Sequence, residues 1–104
     1  MKALNFSTGR MIDMRLVLDG AQIPDRAALH HALAEGLRLP EWYGGNLDAL
    51  YDCLTEIAQP TEIEIGNMRA LEAALGGYAL AFGRALSDAE GENANLRVIL
   101  READ

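Results

Sequence analysis

Residues 39–57 read "LPEWYGGNLDALYDCLTEI". A proline, two adjacent aromatics and two glycines make the first seven residues a loop by composition. Asn46 is a favourable N-cap for a helix beyond it. Leu47, Leu50, Leu54 and Ile57 then form one apolar stripe, and Gln59-Pro60 stops the helix after about Ala58. The same spacing places Asp48, Asp52 and Glu56 at i, i+4 and i+8, so three acids share one face. Like charges so placed destabilise a helix by roughly 0.2–0.5 kcal/mol per pair. No lysine or arginine lies between residues 39 and 68 to relieve them. Asp48, in the first turn, gains from the helix dipole, whereas Asp52 gains nothing and Glu56 sits at the wrong end.

The sequence on either side supplies the frame. Upstream, "MRLVLDG" (14–20) is a short apolar strand closed by Asp19-Gly20. In "AQIPDRAALHHALAEGLRLP" (21–40), Pro24 and Asp25 open a helix with Leu29, Leu33 and Leu37 on one stripe. Gly36 and Pro40 are expected to mark its end. Downstream, "TEIEIG" (61–66) alternates and predicts a strand with Ile63 and Ile65 inward. "NMRALEAAL" (67–75) is a short helix broken at Gly76-Gly77, and "YALAFGRALSDAE" (78–90) is another, with Leu80, Phe82 and Leu86 as core candidates. "GENAN" (91–95) reads as a turn, "LRVIL" (96–100) as a third strand and "READ" as a polar tail. The order β-α-α-β-α-α-β requires crossover connections. The expected fold is α/β: a three-stranded parallel sheet with about four helices packed on it, covering at least one face. Residues 1–13, with the turn-like "STGR", read as a loose arm preceding a domain at 14–104.

The 104 residues suffice for one domain, and half of them are hydrophobic. A net charge of −7 argues against a direct nucleic-acid binder or an anionic membrane surface, and suits a basic protein partner. Cys53 is the single cysteine, so neither an intramolecular disulfide nor a paired-cysteine zinc site can form; it is expected to be a small buried hydrophobe. His30 and His31 are adjacent and point to different sides of their helix, so surface positions are expected for both, and no metal. Phosphate-loop, dinucleotide and nucleophile-elbow motifs are absent, and no cofactor is expected. Gly44-Gly45 before a helix could cradle an anion, but Asp48 would repel a phosphate. Asp48 and Asp52 lie about 6 Å apart along the helix axis, yet no nucleophile, base and orienting group accompany them. The start of the chain lacks a signal-peptide pattern and no 18-residue apolar run occurs. A cytoplasmic protein, monomeric when free, is expected.

The stretch 39–57 resembles the signature of the barstar family, small bacterial inhibitors of secreted ribonucleases. The match runs without a gap through Leu39, Pro40, Glu41, Trp42, Tyr43, Gly44, Asn46, Leu47, Asp48, Ala49, Leu50, Tyr51, Asp52, Cys53, Leu54 and Thr55. It extends more weakly over about residues 14–101. The resemblance implies the same fold, and it implies that loop and helix plug the basic active site of a ribonuclease as a mimic of RNA phosphates. On that resemblance Asp52 fills the phosphate subsite and Asp48 lies nearer the helix start. Trp42, Tyr43, Gly44, Asn46, Tyr51 and Thr55 are then partner contacts, and Glu56 adds an acid at the rim. Glu56 and Ile57 stand where the family pattern has glycine and tryptophan, and Arg84 where it has a glutamate, which implies a different cognate enzyme. The expected partner is a basic, extracellular-type ribonuclease. The alternatives are an interaction or immunity module binding another basic protein, and an enzyme working through Asp48 and Asp52.

Overall fold

The computed structural model describes residues 3–5 and 10–103. Along it follow β1 (Ala3–Asn5), β2 (Arg10–Ile12), β3 (Met14–Asp19), a single 3₁₀ turn (Gly20–Gln22), α1 (Arg26–Gly36), α2 (Leu47–Thr55), β4 (Thr61–Gly66), α3 (Met68–Leu75), α4 (Gly77–Glu92) and β5 (Leu96–Leu100). β3, β4 and β5 form a parallel sheet in that order, so each crossover carries two helices. The expected α/β architecture is therefore the observed one.

Alternation along the strands decides which face is covered. Leu16, Ile63 and Val98 stand side by side in register, flanked by Thr61 and Leu96 on one side and by Leu18 and Ile65 on the other. They pack beneath the helices with Leu29, Leu33, Leu50, Leu54, Leu71, Phe82 and Leu86. The opposite face has no helix on it, and parallel sheets seldom leave a face open. Here charge makes that tolerable. Arg15, Glu62 and Arg97 are neighbours across the three strands, with Val17, Glu64 and Ile99 in the next row. Arg15 reaches Glu62 at 2.9 Å and Glu64 at 3.3 Å; Arg97 reaches Glu62 at 3.7 Å and Arg101 reaches Glu64 at 3.5 Å. Each central glutamate is shared by two arginines and is only 14% or 17% exposed. Opposite-charge pairs across strands contribute roughly 0.2–1 kcal/mol each.

Several local expectations are corrected. Gly36 does not stop α1. It lies in the last turn, where a Cβ would stand 2.3 Å from Leu16 Cδ1, so its small size lets the helix settle on β3. The reversal falls on Arg38, at φ +52°, with the Leu39 N–H donating to Ala34 O at 2.9 Å. Leu80 is 53% exposed and Ala79 takes the buried place, because α4 buries Ala79, Phe82, Gly83, Leu86 and Ala89. Small residues on that stripe bring α4 close to β5. α4 also continues through Gly91 and Glu92, which were read as part of a turn. Within the expected loose arm, β1 and β2 pair as an antiparallel ribbon, Ile12 is buried, and the Asp13 N–H donates to Pro60 O at 2.8 Å. An apolar side chain and a free backbone donor tie that end of the arm to the domain. Most of the "STGR" turn lies outside the described residues.

The polar tail has a structural task. Asn67, at the start of α3, has φ +53° and gives its side chain to Asp19 at 2.7 Å instead of capping its own helix. Carbonyls of Arg101, Glu102 and Ala103 accept the N–H groups of Met68, Arg69 and Asn67 at 2.9–3.1 Å. They satisfy donors that a helix start otherwise leaves open.

Gly20 offers a test of this corner. A Cβ there would meet Asn67 O at 2.3 Å and Leu71 Cβ at 3.0 Å. A backbone carbonyl cannot swing aside as a side chain can. Gly20→Ala is expected to lower stability by about 1–3 kcal/mol, read as a lower urea midpoint at unchanged slope. An unchanged midpoint would show that the corner relaxes freely.

Candidate docking surface

α2 is held at both ends by asparagines. At its start the Asn46 side chain accepts the Ala49 N–H at 2.8 Å. At its end Asn93 Nδ2 donates to Leu54 O and Ile57 O, both at 2.9 Å, and Asn95 Nδ2 donates to Ala58 O at 3.1 Å. These bonds satisfy carbonyls at the helix terminus. They accompany an end at Thr55, with Glu56 as C-cap, three residues short of the expected Ala58. Asn93 and Asn95 lie within the "GENAN" segment; nothing in the local sequence shows that their partners lie more than 30 residues upstream.

Burial fixes which way the helix faces. Leu50, Leu54 and Cys53 are buried, and Leu47 and Ile57 pack partly against the core. Asp48, Asp52 and Glu56 are thereby turned to solvent. Among the described residues no ion pair reaches any of the three. Thr55 is half-buried and its hydroxyl donates to Asp52 O at 3.0 Å, within the helix itself. Tyr51 is half-buried against the core and borders a groove of about 370 Å³ with Asp48, Ala81, Arg84, Ala85 and Asp88. Arg84 thus brings a positive charge to the edge of the acidic face. Cys53 is the small buried hydrophobe that was expected; burial pushes its thiol pKa up, and Glu56 and Asp52 push it further. Such a thiol is unreactive.

The loop ahead of α2 divides its two aromatics. Trp42 is 66% exposed and borders a small cleft with Leu37, Pro40, Cys53, Glu56 and Ile57. Tyr43 turns inward: its N–H donates to Pro40 O at 2.9 Å and its hydroxyl bonds to His30 Nδ1. The other ring nitrogen of His30 bonds to the Tyr78 hydroxyl at 2.6 Å. His30, expected on the surface, is only 5% exposed, because two tyrosines satisfy both of its nitrogens. His31 is exposed as expected and pairs with Glu35. Gly44 and Gly45 are exposed. Gly45 adopts φ +68°, which suits glycine, and the position of its missing Cβ lies 3.9 Å from His30 Cβ. Of the expected contacts, Trp42, Gly44, Asn46, Asp48, Asp52 and Glu56 thus share one surface, Tyr51 and Thr55 lie at its half-buried margin, and Tyr43 supports it from beneath. Among the described residues no His, Cys, Asp and Glu cluster could hold a metal, and no helix is long and apolar enough to cross a membrane.

Chemically, the surface presents three unneutralised carboxylates beside an exposed indole. It is equipped to attract a basic protein surface and to exclude water at its edge. Comparison with known proteins bears on the same residues. Residues 14–101 match the profile of a family described as "Barstar (barnase inhibitor)". A protein of Bacillus subtilis (strain 168) named "Putative ribonuclease inhibitor YrdF" is 36% identical over 66 residues, which is 62% of this chain and 72% of that protein.

Burial lowers the pKa of His30 below its ordinary 6.5. The folded protein therefore binds fewer protons there than the unfolded chain. The contribution of His30 is fully present above pH 6.5 and is lost as pH falls towards the lower folded value. Urea midpoints are expected to fall between pH 7.5 and 5.5, and His30→Gln should flatten that slope. A slope equal to wild type in His30→Gln would remove His30 as its cause.

Proposed function

The chain belongs to the barstar family, and from that premise we propose that it inhibits a secreted bacterial ribonuclease by filling the enzyme's basic active site with the Asp48–Asp52–Glu56 face. The observation that carries this is the contrast in how the chain treats its acids. Glu62 and Glu64 are each roofed by two arginines, whereas the three acids of α2 stand exposed without an ion pair among the described residues. A ribonuclease must hold RNA phosphates and so gathers cationic side chains. Carboxylates set one helical turn apart can occupy phosphate positions in such a site.

In this proposal Asp52 enters the phosphate subsite and Asp48 contacts the same cationic cluster. Trp42, Gly44, Asn46 and Tyr51 shape the contact around them, and Glu56 and Thr55 complete its edge. The protein acts as a monomer in the cytoplasm, on the cell's own enzyme before export. Arg84 favours a second reading, an immunity module for another basic protein, because a cation beside Asp48 selects a partner with a matching acid or neutral group there.

The test is a titration of purified secreted bacterial ribonucleases with this protein, following cleavage of a fluorogenic RNA. Stoichiometric loss of activity is expected with the cognate enzyme. Asp52→Asn keeps the side-chain shape and removes the charge. It should weaken inhibition by about 2 kcal/mol or more, a scale known from an inhibitor of this same family and carried over from it. Stability of the free protein should hold or rise, since repulsion on α2 is relieved. Unfolding of Asp52→Asn would mark the residue as structural, and undiminished inhibition would remove it from the phosphate subsite.

A further inference from the structure

We propose that His30 is a positioning residue for the docking loop: clasped between the Tyr43 hydroxyl of the loop and the Tyr78 hydroxyl of α4, it locks the loop onto α1, and its protonation releases the loop. Trp42, Gly44 and Gly45 are exposed, so between Pro40 and Asn46 the side chain that reaches inward is Tyr43. Its hydroxyl bond to His30 joins the loop to α1, and the second ring nitrogen carries the connection on to α4. The rings are packed as well as bonded, with centroids 5.7 Å apart for His30–Tyr43 and 6.0 Å for His30–Tyr78.

A neutral imidazole completes this clasp by donating from one nitrogen and accepting at the other. A protonated one must donate from both and carries a charge in a buried place. The groups facing it differ by element. From α4 comes Tyr78, with the Arg26 guanidinium of α1 stacked 4.1 Å from its ring centroid. From the loop comes Tyr43. From the start of α2 come Asn46 and Asp48, which line an open cavity of about 510 Å³ with His30, Arg26 and Tyr78. Arg26 opposes a second cation, and the Asp48 carboxylate is exposed to solvent. Hydration of the imidazolium relieves the cost of burial, and it requires one tyrosine to move. Tyr78 sits on a sixteen-residue helix and Tyr43 on a loop followed by two glycines, so the loop is the part that yields. Acid therefore loosens the surface that presents Trp42 while the sheet and helices persist.

Trp42 is the single tryptophan, so its fluorescence reads this loop without any partner. The experiment is time-resolved anisotropy of Trp42 in the full chain between pH 7.5 and 5.5. In the wild type, and in His31→Gln, the fast local component should grow as one group titrates. Tyr43→Phe removes only the hydroxyl. It should show the enlarged component at every pH, with a melting temperature lowered by no more than the few degrees that one neutral hydrogen bond supports. A component that is flat with pH in the wild type, or Tyr43→Phe behaving as wild type, overturns the proposal. Should Tyr43→Phe fail to fold, the wild-type and His31→Gln titrations decide alone. The consequence for affinity rests on the proposed docking role: Tyr43→Phe should weaken binding of an inhibited ribonuclease roughly three- to ten-fold. Loop release without ribonuclease inhibition would keep the latch and remove only that role.

Discussion

A nine-residue helix carrying three like charges on its open face is the constraint around which this molecule is arranged. So short a segment is marginal on propensity alone, and repulsion between Asp48, Asp52 and Glu56 weakens it further. Its stability comes from beneath and from its ends. Leu50 and Leu54 are fully buried and Cys53 nearly so. Asn46 caps one terminus, and Asn93 with Asn95 holds the carbonyls at the other. With both ends fixed, the carboxylates keep their direction although nothing on the chain neutralises them.

The sheet shows the opposite treatment of charge. On its uncovered face Glu62 and Glu64 are enclosed by Arg15, Arg97 and Arg101, so exposed parallel strands acquire a finished surface. A chain with nine basic and sixteen acidic residues has few cations to distribute. Three of them serve the sheet, Arg26 stacks on Tyr78, Arg69 pairs with Glu102, and Arg84 stands at the edge of the acidic groove. The bare face of α2 is a local feature of this arrangement, not a by-product of overall acidity.

Element types and order were legible because three apolar runs alternate with helical stripes, and because Asp25 and Asn46 have the chemistry their capping positions need. The acidic face was legible for the same reason, since spacing alone puts its members together. What stayed hidden depends on distant partners. Gly36 looked like a helix stop, yet its task is close approach to Leu16, which belongs to a strand twenty residues earlier. His30 looked like a surface residue because its two tyrosines come from the next loop and from α4. Tyr43 stood in a string of contact residues, and only its pairing with His30 shows that it faces inward. Asn93 and Asn95 read as turn formers because the helix they complete is far away in sequence. Leu80 lost its core place to Ala79 once α4 was required to lie close to the sheet.

The central claim is that the acids of α2 are left unpaired because a basic partner supplies their counter-charge. The most direct measurement is the association rate with an inhibited ribonuclease as a function of ionic strength. Exposed charges are screened over about 8 Å at physiological salt. The account predicts an association rate that falls steeply with added salt while dissociation changes little, a behaviour known for an inhibitor–ribonuclease pair of this family and carried over from it. An association rate flat from low to high salt would contradict the claim.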